Sequence, residues 1–533
     1  MPAIVTDQFR ILNANNFVES VENTNNSYYV FVGLPNPQGP PDEALVGYGR
    51  SSDWDERTPS PEDSFSYRAH SQDTMMYGKK ISSANVRRLI RRIDWVQGSR
   101  YEIYRDDYSA NNQSPITSSS RLYDANYYVL NSDFKVYVCI DNGSSGNNIL
   151  GNISQDEPTF TDLEPSKAGN SGDGYIWKYL FTVSPSDIIK FDATEFITVP
   201  NNWSSSTDAQ IINVRENGDS SVNLNQIKHV YIEKEGANYT NGLGQECDII
   251  GDGTGGKARV DVVGGKIVDV TVSAGGQGYS YGVIDLGNID NNNQTSADKA
   301  KLVPIIPPGL GHGHDIYTEL GTDKVICYAR FDDSTKDFPI DTSFAQVGIV
   351  KNPTKIGTSI TFSESTFSSL KALKFEDSVS GTPVVGEIIE QILTVAPNVG
   401  NIAQAYVASF DIETKVLKYF NDRTLNFNPT TFDQTDHVGI STQGRIYDFE
   451  TGVGINPVKG QKSNFTGTIE TGFSGITTNP DGNKLINLGV NFNSGLSNSE
   501  INKGSGEVIY LDNRPEISRS TRQKEDIKII LEF

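Results

Sequence analysis

Short apolar runs, repeatedly broken by clusters of Asn, Ser, Gly and Asp, set the texture of this chain and predict many short strands joined by turns. Alternating or continuous apolar segments place strands at Tyr28–Leu34, Tyr127–Leu130, Phe134–Ile140 and Tyr175–Val183. Four more follow at Gln404–Phe410, Lys415–Phe420, Val508–Leu511 and Ile527–Phe533. One segment has a different period. In SSANVRRLIRRIDW, residues 82–95, Val86, Leu89, Ile90 and Ile93 recur at helical spacing, and Ser82 or Ser83 stands where a cap belongs. This predicts a helix with Arg87, Arg88, Arg91 and Arg92 on its outer face.

An internal repeat interrupts the middle of the chain. Ile232-x-x-x-Gly236-x-x-Tyr239-Thr240-x-Gly242 returns as Val272-x-x-x-Gly276-x-x-Tyr279-Ser280-x-Gly282, which predicts two similar β elements packed together. Between the copies, Ala258, Val260 and Val262 alternate before Gly264-Gly265, and Val268, Val270 and Val272 alternate after it, the pattern of a hairpin. Just upstream, GDGTGGKA at 251–258 satisfies G-x-G-x-x-G and begins G-x-x-x-x-G-K. Either phosphate-binding reading needs a helix leaving the glycines, and the second also needs Ser or Thr where this chain has Ala258. The β-branched alternation after Lys257 opposes that helix, so these glycines predict a turn into a hairpin, not a nucleotide site.

Taken together the pattern predicts a mainly β (α+β) chain, with several β-sandwich or barrel-like domains and a small α/β N-terminal portion. Changes of texture set off a mixed unit at 1–215, Gly-rich β-structure from 216, a stretch at 303–357, a β-rich block at 358–480, and an end that carries strands. At 533 residues there is enough chain for several cores.

Charge narrows the set of partners. A net charge of −22 opposes general affinity for nucleic acid or an acidic membrane. Cys139, Cys247 and Cys327 are too scattered for a disulfide framework or a metal knuckle. The opening MPAIVTDQFR does not read as a secretory signal and no apolar run is long enough to span a bilayer, so membrane insertion is not expected.

Catalytic signatures are sparse. His312, His314 and Asp315 in GHGHD lie close enough in sequence to ligate zinc, but the chain holds only three other histidines, His70, His229 and His437. A loop whose histidines hydrogen-bond locally is the preferred reading, with the three residues kept as a weak metal candidate. There is no G-x-S-x-G, no pair of carboxylates stands out, and DNNNQTSAD at 290–298 lacks the Gly and terminal Glu of a calcium loop. No enzyme activity, cofactor or small-molecule substrate is expected. The four arginines from Arg87 to Arg92 are interface candidates, for docking on acidic protein surface or for intramolecular ion pairs.

Ordered blocks carry a family resemblance. AIVTDQFR at 3–10, PSPEDS at 59–64, DTMMYGKK at 73–80, RRIDW at 91–95 and GDGYIWKYLF at 172–181 resemble the dimeric baseplate wedge subunit of contractile-tailed, T-even-type bacteriophages. FAQVGIVKNP at 344–353 and SGEVIYLDNRPEISRSTRQKEDIKIILEF at 505–533 continue the likeness in the same order. It covers about half the chain and so implies a division into 1–215, 216–317, 318–357, 358–482 and 483–533, in which the stretches 216–317 and 358–482 look like β-rich insertions without counterpart.

The resemblance implies a non-enzymatic virion protein, assembled in the host bacterial cytoplasm. It would form a homodimer, bind other baseplate wedge proteins, and take part in the change of baseplate shape that triggers sheath contraction. A carbohydrate- or receptor-binding tail component is the alternative, in which Tyr239, Tyr279 and Tyr281 would be exposed to stack on sugars; turn-packing tyrosines are the preferred reading.

Overall fold

The computed structural model describes residues 5–34, 53–219, 224–290, 295–332, 343–421, 447–480, 482, 485–519 and 523–533. These residues are built mostly of strands in several antiparallel sheets, a mainly β fold. The described helices are Asp7–Glu22, Phe65–Thr74, Pro185–Phe191, Ala209–Asp219 and Ile316–Leu320. Ser64 and Ser184 cap two of them through hydroxyls that accept the amides of Tyr67 and Asp187. No described helix is long and apolar enough to cross a membrane. The chain divides into two compact units, one made of 1–18, 87–326 and 530–533, the other of 19–86 and 327–529.

In the first unit, strands Tyr128–Leu130, Lys135–Asn142, Tyr175–Thr182 and Ser166–Lys167 form one antiparallel sheet in that order. Its core is aromatic: Tyr127, Tyr137, Tyr175, Trp177 and Tyr179 are fully buried, and the Tyr175 and Trp177 rings stack at 5.3 Å. Buried hydroxyls find carbonyls, Tyr127 donating to Glu319 and Tyr137 to Phe160, both at 2.6 Å. Cys139, Cys247 and Cys327 are all buried free thiols.

The Gly-rich region of this unit forms a second sheet, in the order Lys266–Gln277, Thr254–Val263, Gly242–Gly251, Gly282–Ile284. The Gly264-Gly265 turn joins the first two strands as the pattern predicts, both glycines having positive φ. Cys247, Ala258, Val260, Val262, Ile267 and Val270 point to one face and close on Val230 and Ile232.

In the second unit, a five-stranded sheet runs Thr366–Ser368, Met75–Ile81, Tyr28–Gly33, Ser343–Lys351, Glu507–Ser518, every neighbour antiparallel. Tyr29, Phe31, Met75, Val350, Phe367 and Val508 pack there. A seven-stranded sheet includes Ile388–Ile392, Ile402–Asp411, Val416–Phe420 and Lys371–Lys374, over a core of Leu373, Phe375, Ile389, Val407, Leu417 and Phe465.

The helix expected at 82–95 does not form. Ser83–Asn85 makes one 3-10 turn, and Val86–Arg91 is a strand paired antiparallel with Phe196–Val199. Ser82 makes no side-chain cap; its hydroxyl lies 3.0 Å from Asn85 Oδ1. The helical spacing misled because it assigned every arginine to solvent, whereas Arg88 is only 3% exposed. Counting Arg88 as inward makes Val86, Arg88 and Ile90 alternate, and burial of Leu89 shows that the strand is covered on both sides.

Candidate functional site

The GHGHD loop is held by side chains on all sides. Ile316–Leu320 is a single short helix whose cap is Asp315: its carboxylate accepts the amides of Tyr317 and Thr318 at 3.0 and 3.3 Å and the Thr318 hydroxyl at 2.7 Å. One turn on, Glu319 is buried and turns back to the loop, with Oε1 2.7 Å from His312 Nδ1 and Oε2 accepting the Gly313 amide at 2.7 Å. The His312 ring stands edge-on to Tyr104, centroids 4.9 Å apart. Trp203 Nε1 donates to the carbonyls of Gly313 and His314 at 3.1 and 2.9 Å.

Gly313 has φ +88°, and a Cβ there would fall 2.7 Å from Val214 Cγ1, so no other residue fits this bend without strain. His312 and Asp315 therefore have separate structural tasks. His314 Nδ1 is buried without a hydrogen-bond partner, yet among the described residues no group of three or more His, Cys, Asp or Glu side chains is placed to hold a metal ion.

The GDGTGGKA glycines have an equally definite role. Tyr279 is fully buried and lies over them: a Cβ on Gly253 would sit 2.5 Å from its ring, and one on Gly256 2.6 Å from its hydroxyl. That hydroxyl accepts the Gly256 amide at 3.0 Å and donates to the Ile249 carbonyl at 2.9 Å. Asp252 accepts the amides of Ser280 and Tyr281 and the Ser280 hydroxyl, and these bonds, the hydroxyl's foremost, hold its carboxyl down at about 2.

The repeat has a common geometry. Gly236 and Gly276 have φ +69° and +62°, and a Cβ on either would meet the ring of its own Tyr239 or Tyr279 at 2.6 or 2.7 Å. Tyr239 and Tyr279 are thus buried, contrary to the sugar-stacking arrangement; Tyr281 alone of the three is exposed, at 62%.

Each interface-candidate arginine makes contacts within its own unit. Arg87 pairs with Asp187 at 3.0 Å, and Arg92 with Asp94 and Asp192 at 3.0 and 3.2 Å. Arg88 donates from Nε to Asn15 Oδ1 at 2.6 Å and from Nη1 to the Asn201 carbonyl at 3.1 Å, its guanidinium 4.2 Å from the Tyr317 ring centroid. Arg91 differs. Nη2 reaches the Ala125 carbonyl at 2.8 Å, but Nε is buried without a hydrogen-bond partner and no described carboxylate pairs with it.

Arg91 lines a cavity of about 100 Å³. Arg10, Arg121 and Lys324 are the other cations in its wall, and Asp124, Asp323 and Glu532 the carboxylates. These residues come from sequence positions between 10 and 532, and no local motif marks them; sequence reading reached only Arg91. No family model matches this chain, and no curated protein sequence matches it.

Proposed function

We propose that this chain is a structural subunit of a phage tail baseplate wedge, a homodimer that links neighbouring wedge proteins so that the baseplate assembles and switches conformation to trigger sheath contraction. One observation supports the reading above others. Three blocks on which the resemblance rests, at 73–80, 344–353 and 505–518, are far apart in the chain yet supply strands of one five-stranded sheet, with Tyr28–Gly33 pairing between the first two.

The described chemistry fits a non-enzymatic role: His312, Asp315 and Glu319 are used to brace a loop, and the phosphate-like glycine motif is used to seat a tyrosine. Function in such a subunit is interface energy, large complementary surfaces of which some must release when the wedge rearranges. On this reading the protein resides in the virion after assembly in the bacterial cytoplasm.

Co-expression with the adjacent wedge subunits tests the proposal. A stable co-purifying complex containing two copies of this chain is expected; a chain that stays monomeric and partnerless at micromolar concentration overturns it. A carbohydrate- or receptor-binding tail component is the second reading. Tyr281 favours it, exposed beside the exposed Ile250–Val283 cross-strand pair, and silence on a glycan array removes it.

A further inference from the structure

We infer that the cavity lined by Arg91 is a recognition site for a single carboxylate group, with Arg91 as its anchor. The inference stands on the cavity and is independent of the wedge reading.

Four cations face this space, and three of them are already neutralised. Arg121 pairs with Asp7 and, at 3.6 Å, with Asp124. Lys324 lies 2.9 Å from Asp323 and 3.3 Å from Glu532, and Arg10 reaches Glu532 at 3.9 Å. The two tyrosine hydroxyls in the wall are also committed, Tyr123 to the Thr318 carbonyl at 2.6 Å and Tyr128 to the Arg91 carbonyl at 2.8 Å. Arg91 alone has no counter-charge among the described residues, and its enclosed Nε has no hydrogen-bond partner. An arginine without a counter-charge in a cavity wall is the group with which an anionic ligand there would pair.

The chemistry of the wall selects the ligand. A planar, singly charged carboxylate matches a guanidinium edge, whereas a doubly charged phosphate would also face Asp124, Asp323 and Glu532. A volume of about 100 Å³ admits a carboxylate head group and little beyond it, so the rest of the ligand must lie at the mouth. The head group can arrive on a small free acid or on an acidic side chain of a protein, including a second copy of this chain with its excess of Asp and Glu.

Calorimetric titration of the full-length protein at constant ionic strength tests the site. Succinate and a penta-glutamate peptide are the probes, with phosphate and chloride as comparisons. Saturable binding of at least one carboxylate probe is expected, weakened by about tenfold or more in Arg91→Gln, partly restored in Arg91→Lys, and unchanged in Arg92→Gln, whose side chain is outside the cavity wall.

Binding of succinate identifies a free acid as sufficient; binding of the peptide alone identifies a protein-borne carboxylate. Sedimentation velocity adds the second-copy arm: if the carboxylate comes from another copy, wild-type self-association falls when a carboxylate probe is added and is weaker in Arg91→Gln. The inference is overturned by absence of saturable carboxylate binding and of Arg91-dependent association in the folded wild type, by phosphate binding as tightly as either carboxylate probe, or by Arg91→Gln, shown folded by circular dichroism, binding like wild type.

Discussion

The hydroxyl of Tyr279 accepts the amide of Gly256 at 3.0 Å, and the tyrosine ring occupies the space that side chains at Gly253 and Gly256 would need. A motif that resembles a phosphate cradle thus holds an aromatic ring of its own chain. The glycines are required for close approach, the same physical reason they are required around phosphate, but the group approaching is different.

Two substitutions separate the parts of this contact. Tyr279→Phe keeps the ring and leaves the Gly256 amide and Ile249 carbonyl without the hydroxyl between them, an expected loss of about 1–3 kcal/mol. Gly256→Ala places a Cβ 3.0 Å from Ile249 Cβ as well as against the hydroxyl, and should cost at least as much. Chemical denaturation measures both; an unperturbed midpoint for Gly256→Ala would show that the ring is not seated there.

Glu319 satisfies two buried partners at once, His312 and the Gly313 amide. Glu319→Ala should destabilise by about 3 kcal/mol or more, because both groups lose their partner where water does not replace it. Because Asp315 caps a helix and His312 is bound to Glu319, neither chelation nor added zinc should move the melting temperature. A zinc-dependent rise would restore the metal reading of His312, His314 and Asp315.

Along the strand Val86–Arg91 and the residue after it, the arginines should differ sharply in mutational cost. Arg88→Met removes a buried cation hydrogen-bonded to Asn15 and Asn201, with an expected loss of about 2–4 kcal/mol. Arg92→Ala removes two partly exposed pairs and should cost about 1 kcal/mol or less. Equal effects at the two positions, read by thermal denaturation, would contradict the burial pattern of a strand.

Lys178 supplies a pH dependence. Burial pushes its ammonium down from 10.5 to about 8, against the opposing attraction of Glu164. Below about pH 8 the amine is charged in folded and unfolded chains alike, and the full cost of burying that charge is present. Between about 8 and 10.5 the unfolded chain binds more protons than the folded one, so this contribution makes stability rise with pH.

Replacing Lys178 by Met should therefore stabilise the protein at pH 7, by up to about 3 kcal/mol, with the gain shrinking toward pH 10.5. The Leu163 carbonyl that receives the amine keeps Asn217 Nδ2 as a donor at 3.0 Å. Paired melts of wild type and variant across this range measure the effect, and a gain that grows with pH would refute the assignment.

Local pattern carried several of the longer strands. The runs at Tyr28, Phe134, Tyr175 and Gln404 each lie on observed strands because their β-branched and aromatic residues suit a buried pleated surface. The Gly264-Gly265 hairpin was legible for the same local reason, since two successive positive-φ residues are a turn signal in themselves. The helix Asp7–Glu22 was harder to see: Ile11, Ala14, Val18 and Val21 are buried at helical spacing, but Asn13, Asn15 and Asn16 dilute the pattern.

By itself the sequence determined that this chain is mainly β, that Gly264-Gly265 is a turn, and that GDGTGGKA precedes a hairpin, since each of these depends on neighbours within a few residues. Tertiary structure alone decided that Val86–Arg91 is a strand, that Tyr279 fills the glycine cradle, and that Arg91 shares a cavity with Arg10, Lys324 and Glu532. The reason is physical: whether an arginine faces water, a tyrosine or an empty space is set by residues distant in the chain, and the spacing of side chains along a segment contains no record of what that segment will meet.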